Sequence, residues 1–199
     1  PSKEPEHNWH GKKKFSSSTL PALTAKITLN GFMYNQKTAQ NDLAHILAVF
    51  DKPGTYLFLG GCDTGKTSLI KNCANYLLDK KTLAIVDTDT GQSHLGPPTT
   101  VAYAKINKTF QNFSDVRPNT ISFTGSISPV GHLLQTTRAI VTCTQKAYNH
   151  ASYILVDTPG FINGPAAQVF WWTVTQMLNP VHIFTLQKDD ELNHITGGI

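Results

Sequence analysis

The stretch Gly60-Gly61-Cys62-Asp63-Thr64-Gly65-Lys66-Thr67 sets glycines, a lysine and a hydroxyl at the spacing of a phosphate-binding loop. Glycines let the backbone curl so that successive N–H groups face anionic oxygens, and a helix N-terminus behind them adds partial positive charge. At this spacing Lys66 reaches the β- and γ-phosphates of a nucleoside triphosphate, and the Thr67 hydroxyl holds Mg²⁺. Gly60 through Ser68 is therefore the expected nucleotide-binding loop. Context carries this reading, because the apolar run at residues 56–59 precedes the motif and a helix-like stretch to residue 78 follows it. A Gly-rich strand-to-helix turn without a ligand is the plainer alternative.

A second polar cluster, Asp87-Thr88-Asp89-Thr90-Gly91-Gln92-Ser93, follows the apolar run at residues 83–86. Two acids at i and i+2 of an extended segment point to one side. Beside a phosphate loop, Asp87 and Asp89 can hold Mg²⁺ through water or take the proton of an attacking hydroxyl. An Asx turn at the strand end accounts for one of them. Asp157-Thr158-Pro159-Gly160 follows the run at residues 153–156, where an Asp is the usual magnesium partner of phosphate-loop proteins. The same D-x-x-G spacing senses a γ-phosphate in GTPase switches. Gln187-Lys188-Asp189-Asp190 loosely resembles their base-reading N-K-x-D, with Gln for Asn. A GTPase-type switch is thus a competing reading, although the gap between the two clusters is short for it.

Gly125-Ser126-Ile127-Ser128-Pro129-Val130-Gly131-His132 precedes a long helix-like run. A helix cap at Ser128 with Pro129 in the first turn accounts for two of these residues. His132 is left over, so Gln92, Ser128 and His132 are candidates for touching substrate or phosphate. Phe170, Trp171 and Trp172 can stack bases, but inside a helix-like run they fit core packing better. Arg138, within the long helix, fits a surface or ion-pair role.

These clusters need a scaffold, and from residue 55 strands and helices alternate. Strands are expected at 56–59, 83–86, 100–105, 121–123, 153–156 and 181–186, and helices at 66–78, 131–148 and 165–178, with residues 91–119 less regular. Short buried strands separated by helices predict an α/β P-loop NTPase fold, a mostly parallel sheet with helices on both faces. Ligands of such sheets bind at the carboxyl ends of strands, and every polar cluster named above falls at such an end. Upstream, residues 23–32 alternate like an edge strand. Residues 41–50 place Leu43, Ile46, Leu47 and Phe50 at helical spacing before Pro53-Gly54 breaks the chain. The expected organisation is a disordered basic tail at 1–20, a small segment at 21–52 packed on the core, and the P-loop domain at 53–199.

The 199 residues carry 17 Lys and Arg against 13 Asp and Glu, a net charge of +4, with Arg117 and Arg138 the only arginines. Mild basicity is compatible with nucleic acid without requiring it. Lys12-Lys13-Lys14 reads as a solvated arm or as a phosphate-backbone contact. The cysteines Cys62, Cys73 and Cys143 lack metal-ligand spacing and favour a reducing compartment, with Cys62 and Cys73 as small filler residues. No apolar run approaches the roughly 18–20 residues of a membrane span, and the polar residues 1–20 do not read as a secretory signal. The expectation is a cytoplasmic protein, nuclear in a eukaryote, with no membrane partner.

The order of these motifs resembles the polynucleotide 5′-hydroxyl kinase family, nearest its archaeal and bacterial branch. Eukaryotic members work in tRNA splicing, pre-mRNA 3′-end formation and ribosomal RNA processing. Beyond the P-loop, the resemblance rests on Asp-x-Asp-x-Gly-Gln-Ser with Gly96-Pro97-Pro98-Thr99-Thr100 behind it. Gly-Ser-x-Ser-Pro-x-Gly-His-Leu-Leu, Asp-Thr-Pro-Gly-Phe and Leu186-Gln187-Lys188 with Glu191-Leu192 complete it, from residue 55 to the end. It implies a phosphotransferase that moves the γ-phosphate of ATP, or GTP, with Mg²⁺ to the free 5′-hydroxyl end of RNA or DNA, among RNA-processing partner proteins. By matching position, Lys66 stabilises the transferring phosphoryl, Thr67 binds Mg²⁺, Asp89 is the base or metal-water partner, and Gln92 lies close to phosphate or substrate. The resemblance also implies lid arginines beyond the last strand. No residue up to Ile199 matches them, Arg138 included. A non-catalytic scaffold that keeps its nucleotide within an RNA-processing assembly is the alternative this departure leaves open.

Overall fold

Runs such as Leu83-Ala84-Ile85-Val86 and Tyr153-Ile154-Leu155-Val156 have no polar face, so both sides of each strand must be covered. The computed structural model, which describes residues 26–30, 43, 45–187 and 190–198, does this with one seven-stranded sheet between helices. The strands are β1 (Lys26–Asn30), β2 (Gly54–Gly60), β3 (Leu83–Asp87), β4 (Thr100–Ile106), β5 (Thr120–Phe123), β6 (Tyr153–Asp157) and β7 (His182–Gln187). The helices are α1 (Lys66–Leu77), α2 (Leu133–Tyr148), α3 (Gly164–Leu178) and the one-turn α4 (Asn193–Thr196). Residues 45–48 are also helical. The basic tail at 1–20, most of the segment at 21–52, and Lys188-Asp189 lie outside the described residues.

The strand order is β1-β7-β2-β6-β3-β4-β5. Every pairing is parallel except the two made by β4, which runs against both β3 and β5. The alternation of apolar runs predicts a mostly parallel sheet and does not reveal this reversal. Its cause is the connection at residues 88–99, which contains no helix to carry the chain back to the starting edge. Because β5 regains the common direction, the ends of β2, β3, β5, β6 and β7 all open on one edge.

Each face of the sheet carries its own apolar core. On one side α1 buries Leu69, Ile70, Cys73 and Leu77 with Phe50, Tyr56, Phe58 and Phe184. On the other, α2 and α3 bury Ile140, Cys143, Phe170, Trp171 and Val174 against Leu57, Leu59, Val86 and Val156. At about 1.5–3 kcal/mol for each large apolar side chain fully buried, these layers hold the sheet edge in place. The indoles serve this packing: Trp171 Nε1 donates to the Phe161 carbonyl and Trp172 Nε1 to the Ile195 carbonyl, both at 2.6 Å. Trp171 is fully buried. No helix among the described residues is long and apolar enough to cross a membrane.

Candidate active site

The turn from β2 into α1 forms the phosphate loop. Asp63 and Gly65 adopt positive φ, 56° and 88°, which tightens the curl. Glycine takes that conformation freely, and aspartate is among the few other residues that tolerate it. A Cβ at Gly60 would run into the Leu186 carbonyl, so β7 presses directly on the loop's first residue. Thr64 Oγ1 donates to the Gly61 carbonyl at 3.0 Å. Lys66, only 7% exposed, donates to the carbonyls of Gly60 at 3.0 Å and Gly61 at 2.6 Å. Burial pulls its pKa below the usual lysine value, and the carboxylate of Asp157 opposes this. Ser68 and Cys62 are exposed, whereas Cys73 and Cys143 are buried.

Asp157 ends the central strand β6, opposite Phe58 of β2 on one side and Asp87 of β3 on the other. Thr67 Oγ1 donates to Asp157 Oδ2 at 2.6 Å, joining the first turn of α1 to the sheet. Asp157 Oδ1 is buried and has no hydrogen-bond partner. Burial pushes this carboxyl up to about 7, the neighbouring Asp87 pushes the same way, and the Thr67 hydrogen bond and Lys66 oppose them. A hydroxyl beside a carboxylate with an unused oxygen suits a hard cation that takes its remaining ligands from water and phosphate. The donor set therefore fits Mg²⁺, with Thr67 and Asp157 as the residues that would hold it.

The two acids after β3 do different jobs. Strand β3 ends at Asp87, so the extended geometry behind the i, i+2 spacing does not continue to Asp89, yet both acids lie near enough to Asp157 to push its pKa up. Asp87 Oδ1 accepts the Asp89 N–H at 3.0 Å, and Oδ2 accepts the Ser93 hydroxyl and the N–H groups of His94 and Leu95. Burial raises its pKa while these four donors oppose the rise. Burial raises both carboxyls of this pair; four donors oppose the rise at Asp87, whereas at Asp157 only the Thr67 hydroxyl and Lys66 do, and its Oδ1 has no donor. Asp87 is the latch of the 87–95 loop, its oxygens already engaged, a role that residue type and spacing do not reveal. Asp89 is half-buried, its Oδ1 accepting the N–H groups of Gly91 and Gln92 at 3.0 and 2.9 Å. Gln92 is exposed.

The segment after β5 closes against this loop. A Cβ at Gly91 would lie 2.8 Å from the Ile127 carbonyl oxygen, so only glycine permits the approach. Thr124 N–H and Oγ1 both donate to the Thr99 carbonyl at 2.8 Å. Ser128 does not cap α2 as expected: its Oγ accepts the Val130 N–H at 3.2 Å, and His132 is the residue before the helix. Ser128 and His132 are both half-buried on the segment that approaches Gly91. At the far side of the loop, Gly160 packs on Cys62 so closely that a Cβ would meet its sulfur and lie 2.7 Å from its nitrogen. Gln187 Oε1 accepts the Leu192 N–H at 3.2 Å, which ties the residue in the Asn position of N-K-x-D to its own chain. Glu191 stands beside the P-loop, its carboxylate oxygen 3.4 Å from a Cβ built on Gly61. Arg138 is exposed on α2, lining a groove between α2 and α3.

With this arrangement in hand, a family model described as the mRNA cleavage and polyadenylation factor CLP1 P-loop matches residues 60–197. The chain belongs to this CLP1 P-loop family. A polyribonucleotide 5′-hydroxyl-kinase of Methanocaldococcus jannaschii is 35% identical over 72% of the chain and 40% of its own length. One of Pyrococcus furiosus is 32% identical over 74% of the chain and 42% of its own length. The chain thus spans about two-fifths of the length of these relatives. Among solved structures, that of a wild-type Clp1p–Pcf11p complex matches with a TM-score of 0.61 at 17% identity, over 82% of this chain and 46% of that one. Another, on an extended Pcf11p–Clp1p interface and ATP loss in a glycine-to-arginine mutant, gives 0.58 at 15% identity, over 83% and 53%. The CLP1-type P-loop fold is therefore shared across these chains.

Proposed function

We propose that this chain is the phosphoryl-transfer core of an ATP-dependent polynucleotide 5′-hydroxyl kinase. The observation that carries the reading is the convergence at one sheet edge of the P-loop with Lys66, the Thr67–Asp157 pair, and the turn that presents Asp89. Transfer of a γ-phosphate asks the protein chiefly for charge neutralisation and in-line positioning. Lys66 and the loop N–H groups neutralise phosphate, and Thr67 with Asp157 would hold Mg²⁺, which supplies charge stabilisation when bound. Asp89, half-buried and on the outer turn, receives the proton of the attacking 5′-hydroxyl. Gln92, Ser128 and His132 are assigned to contact with substrate or phosphate, Ser128 and His132 standing on the segment whose Ile127 carbonyl meets Gly91. The names of the relatives support RNA as acceptor, and DNA and GTP remain within the same chemistry. Three free thiols fit work in the reducing cytoplasm or nucleus beside RNA-processing partners.

The test compares transfer of labelled γ-phosphate to an RNA oligonucleotide bearing a 5′-hydroxyl with transfer to one already 5′-phosphorylated. Label on the first alone, absent with Lys66→Ala, supports the kinase. Tight nucleotide binding with no label on either would leave the scaffold reading instead, and absolute guanine selectivity would favour the switch.

A further inference from the structure

The β4–β5 connection, residues 107–119, does not take the shortest path between its strands. It climbs along α1 toward the P-loop and is fastened there. Asn75 makes a two-way bond with Phe110, Nδ2 to the carbonyl at 2.8 Å and Oδ1 from the N–H at 3.0 Å. One turn higher, Lys71 Nζ donates to the Gln111 carbonyl at 3.1 Å. Phe110 and Phe113 anchor the segment in the α1-side core and meet edge-on with ring centroids 5.1 Å apart. The excursion leaves a cavity of about 400 Å³ that begins at Thr67 and is walled by Lys71, Ser93, His94 and residues 111–114. Exposed His94 lies tilted over the Phe113 ring, centroids 5.6 Å apart. A second cavity, about 460 Å³, lies along the same segment and is lined by Lys105, Lys108 and Arg117. Asp115 is the one acid lining it, and that carboxylate already accepts the Asn112 N–H at 3.1 Å.

We infer that residues 107–119 form the track for the body of the polynucleotide acceptor, leading from the phosphoryl-transfer edge through the His94–Phe113 rings to the cations Lys105, Lys108 and Arg117. This rests on the kinase reading and adds where the strand goes after its first nucleotide. The chemistry fits a single strand. A polar furrow offers hydrogen-bond groups, an exposed ring offers a stacking face, and three cations with one engaged acid offer an anionic backbone its counter-charges. The distances also suit, because β4, which spans the height of the sheet between the two regions, is seven residues or roughly 20 Å long. An acceptor of only one or two nucleotides would end before the cationic cavity.

The distinguishing experiment measures both binding, by fluorescence anisotropy, and phosphorylation, for a 5′-hydroxyl dinucleotide and an oligonucleotide of about 15 residues. Lys108→Glu with Arg117→Glu is compared with the wild-type chain and with Lys146→Glu, an equally exposed change on α2. The expected result is a Kd and KM for the longer strand weakened about tenfold or more, with a shallower salt dependence. The dinucleotide and the Lys146→Glu control change less than twofold. His94→Ala weakens the longer strand without altering ATP affinity. If phosphorylation is absent throughout while the binding pattern holds, the track stands and the kinase reading fails. Equal weakening by Lys146→Glu, or no loss for the longer strand, overturns the track.

Discussion

The Thr67 hydroxyl donates to Asp157 Oδ2 at 2.6 Å, while Asp157 Oδ1 lies buried without any partner. One carboxyl thus links the start of α1 to the middle of the sheet and keeps an oxygen in reserve. Its burial sets a pH dependence with a definite sign. The folded-state pKa of about 7 stands above the unfolded value of about 3.9. Between these values the folded chain holds a proton that the unfolded chain has lost, so stability falls as pH rises through that window. Asp157→Asn cannot ionise. In chelator-containing buffer its melting temperature should gain on the wild type from about pH 5 to pH 7 and level off above. A difference that stays flat with pH contradicts this.

Asp87 and Asp89 should separate stability from turnover. Asp87→Ala strands three backbone N–H groups and the Ser93 hydroxyl, and buried donors without acceptors cost about 1–3 kcal/mol each. Because the loop can partly reopen to water, denaturant unfolding should show a loss on the order of 2–4 kcal/mol. Asp89→Ala removes a half-exposed acceptor and should cost less than about 1 kcal/mol, while phosphate transfer falls by about 10²–10⁴-fold. Matching stability losses for both variants would show that the two residues do the same job.

Gly160 has no room for a methyl group, because Cys62 of the P-loop occupies that space. Gly160→Ala should cost about 1–3 kcal/mol of stability through overpacking and weaken ATP binding as the loop shifts. Adding Cys62→Gly removes the sulfur and leaves the backbone nitrogen, so the double variant should recover only part of the loss. Calorimetric titration with ATP reads this directly, and an undiminished affinity in Gly160→Ala refutes the contact's importance.

Lys66 is nearly buried and satisfied by two loop carbonyls, so its removal should be felt more in chemistry than in folding. Lys66→Met keeps the aliphatic stem, should unfold within about 1 kcal/mol of the wild type, and should lose about 10²–10³-fold in transfer rate, as when one preorganised donor is deleted. Steady-state kinetics beside denaturant melts would separate the two effects.

Much of this was legible from residue order. The P-loop and Asp157 could be placed because glycine spacing and an acid after an apolar run have few other uses, and they set the edge where ligands gather. The β4 reversal was not legible, since apolar runs carry no direction. Only the helix-free connection at 88–99 hints at it. The roles of Asp87 and Ser128 were hidden for a different reason. Both are decided by which backbone N–H groups happen to come near, and the sequence pattern contains no record of that. Lys71 and Asn75 likewise look like ordinary helix-surface residues until the 107–119 excursion is seen to lie on them.

The most direct test of the central claim is single-turnover transfer from ATP to a 5′-hydroxyl RNA, with ATP affinity measured on the same samples, for the wild-type chain and Asp89→Asn. Asp89→Asn is predicted to bind ATP within about threefold of wild type and to transfer phosphate at least 10²-fold more slowly, as for a missing general base. Transfer by Asp89→Asn at the wild-type rate, or ATP-saturated wild-type chain that leaves the RNA unlabelled, would contradict the account.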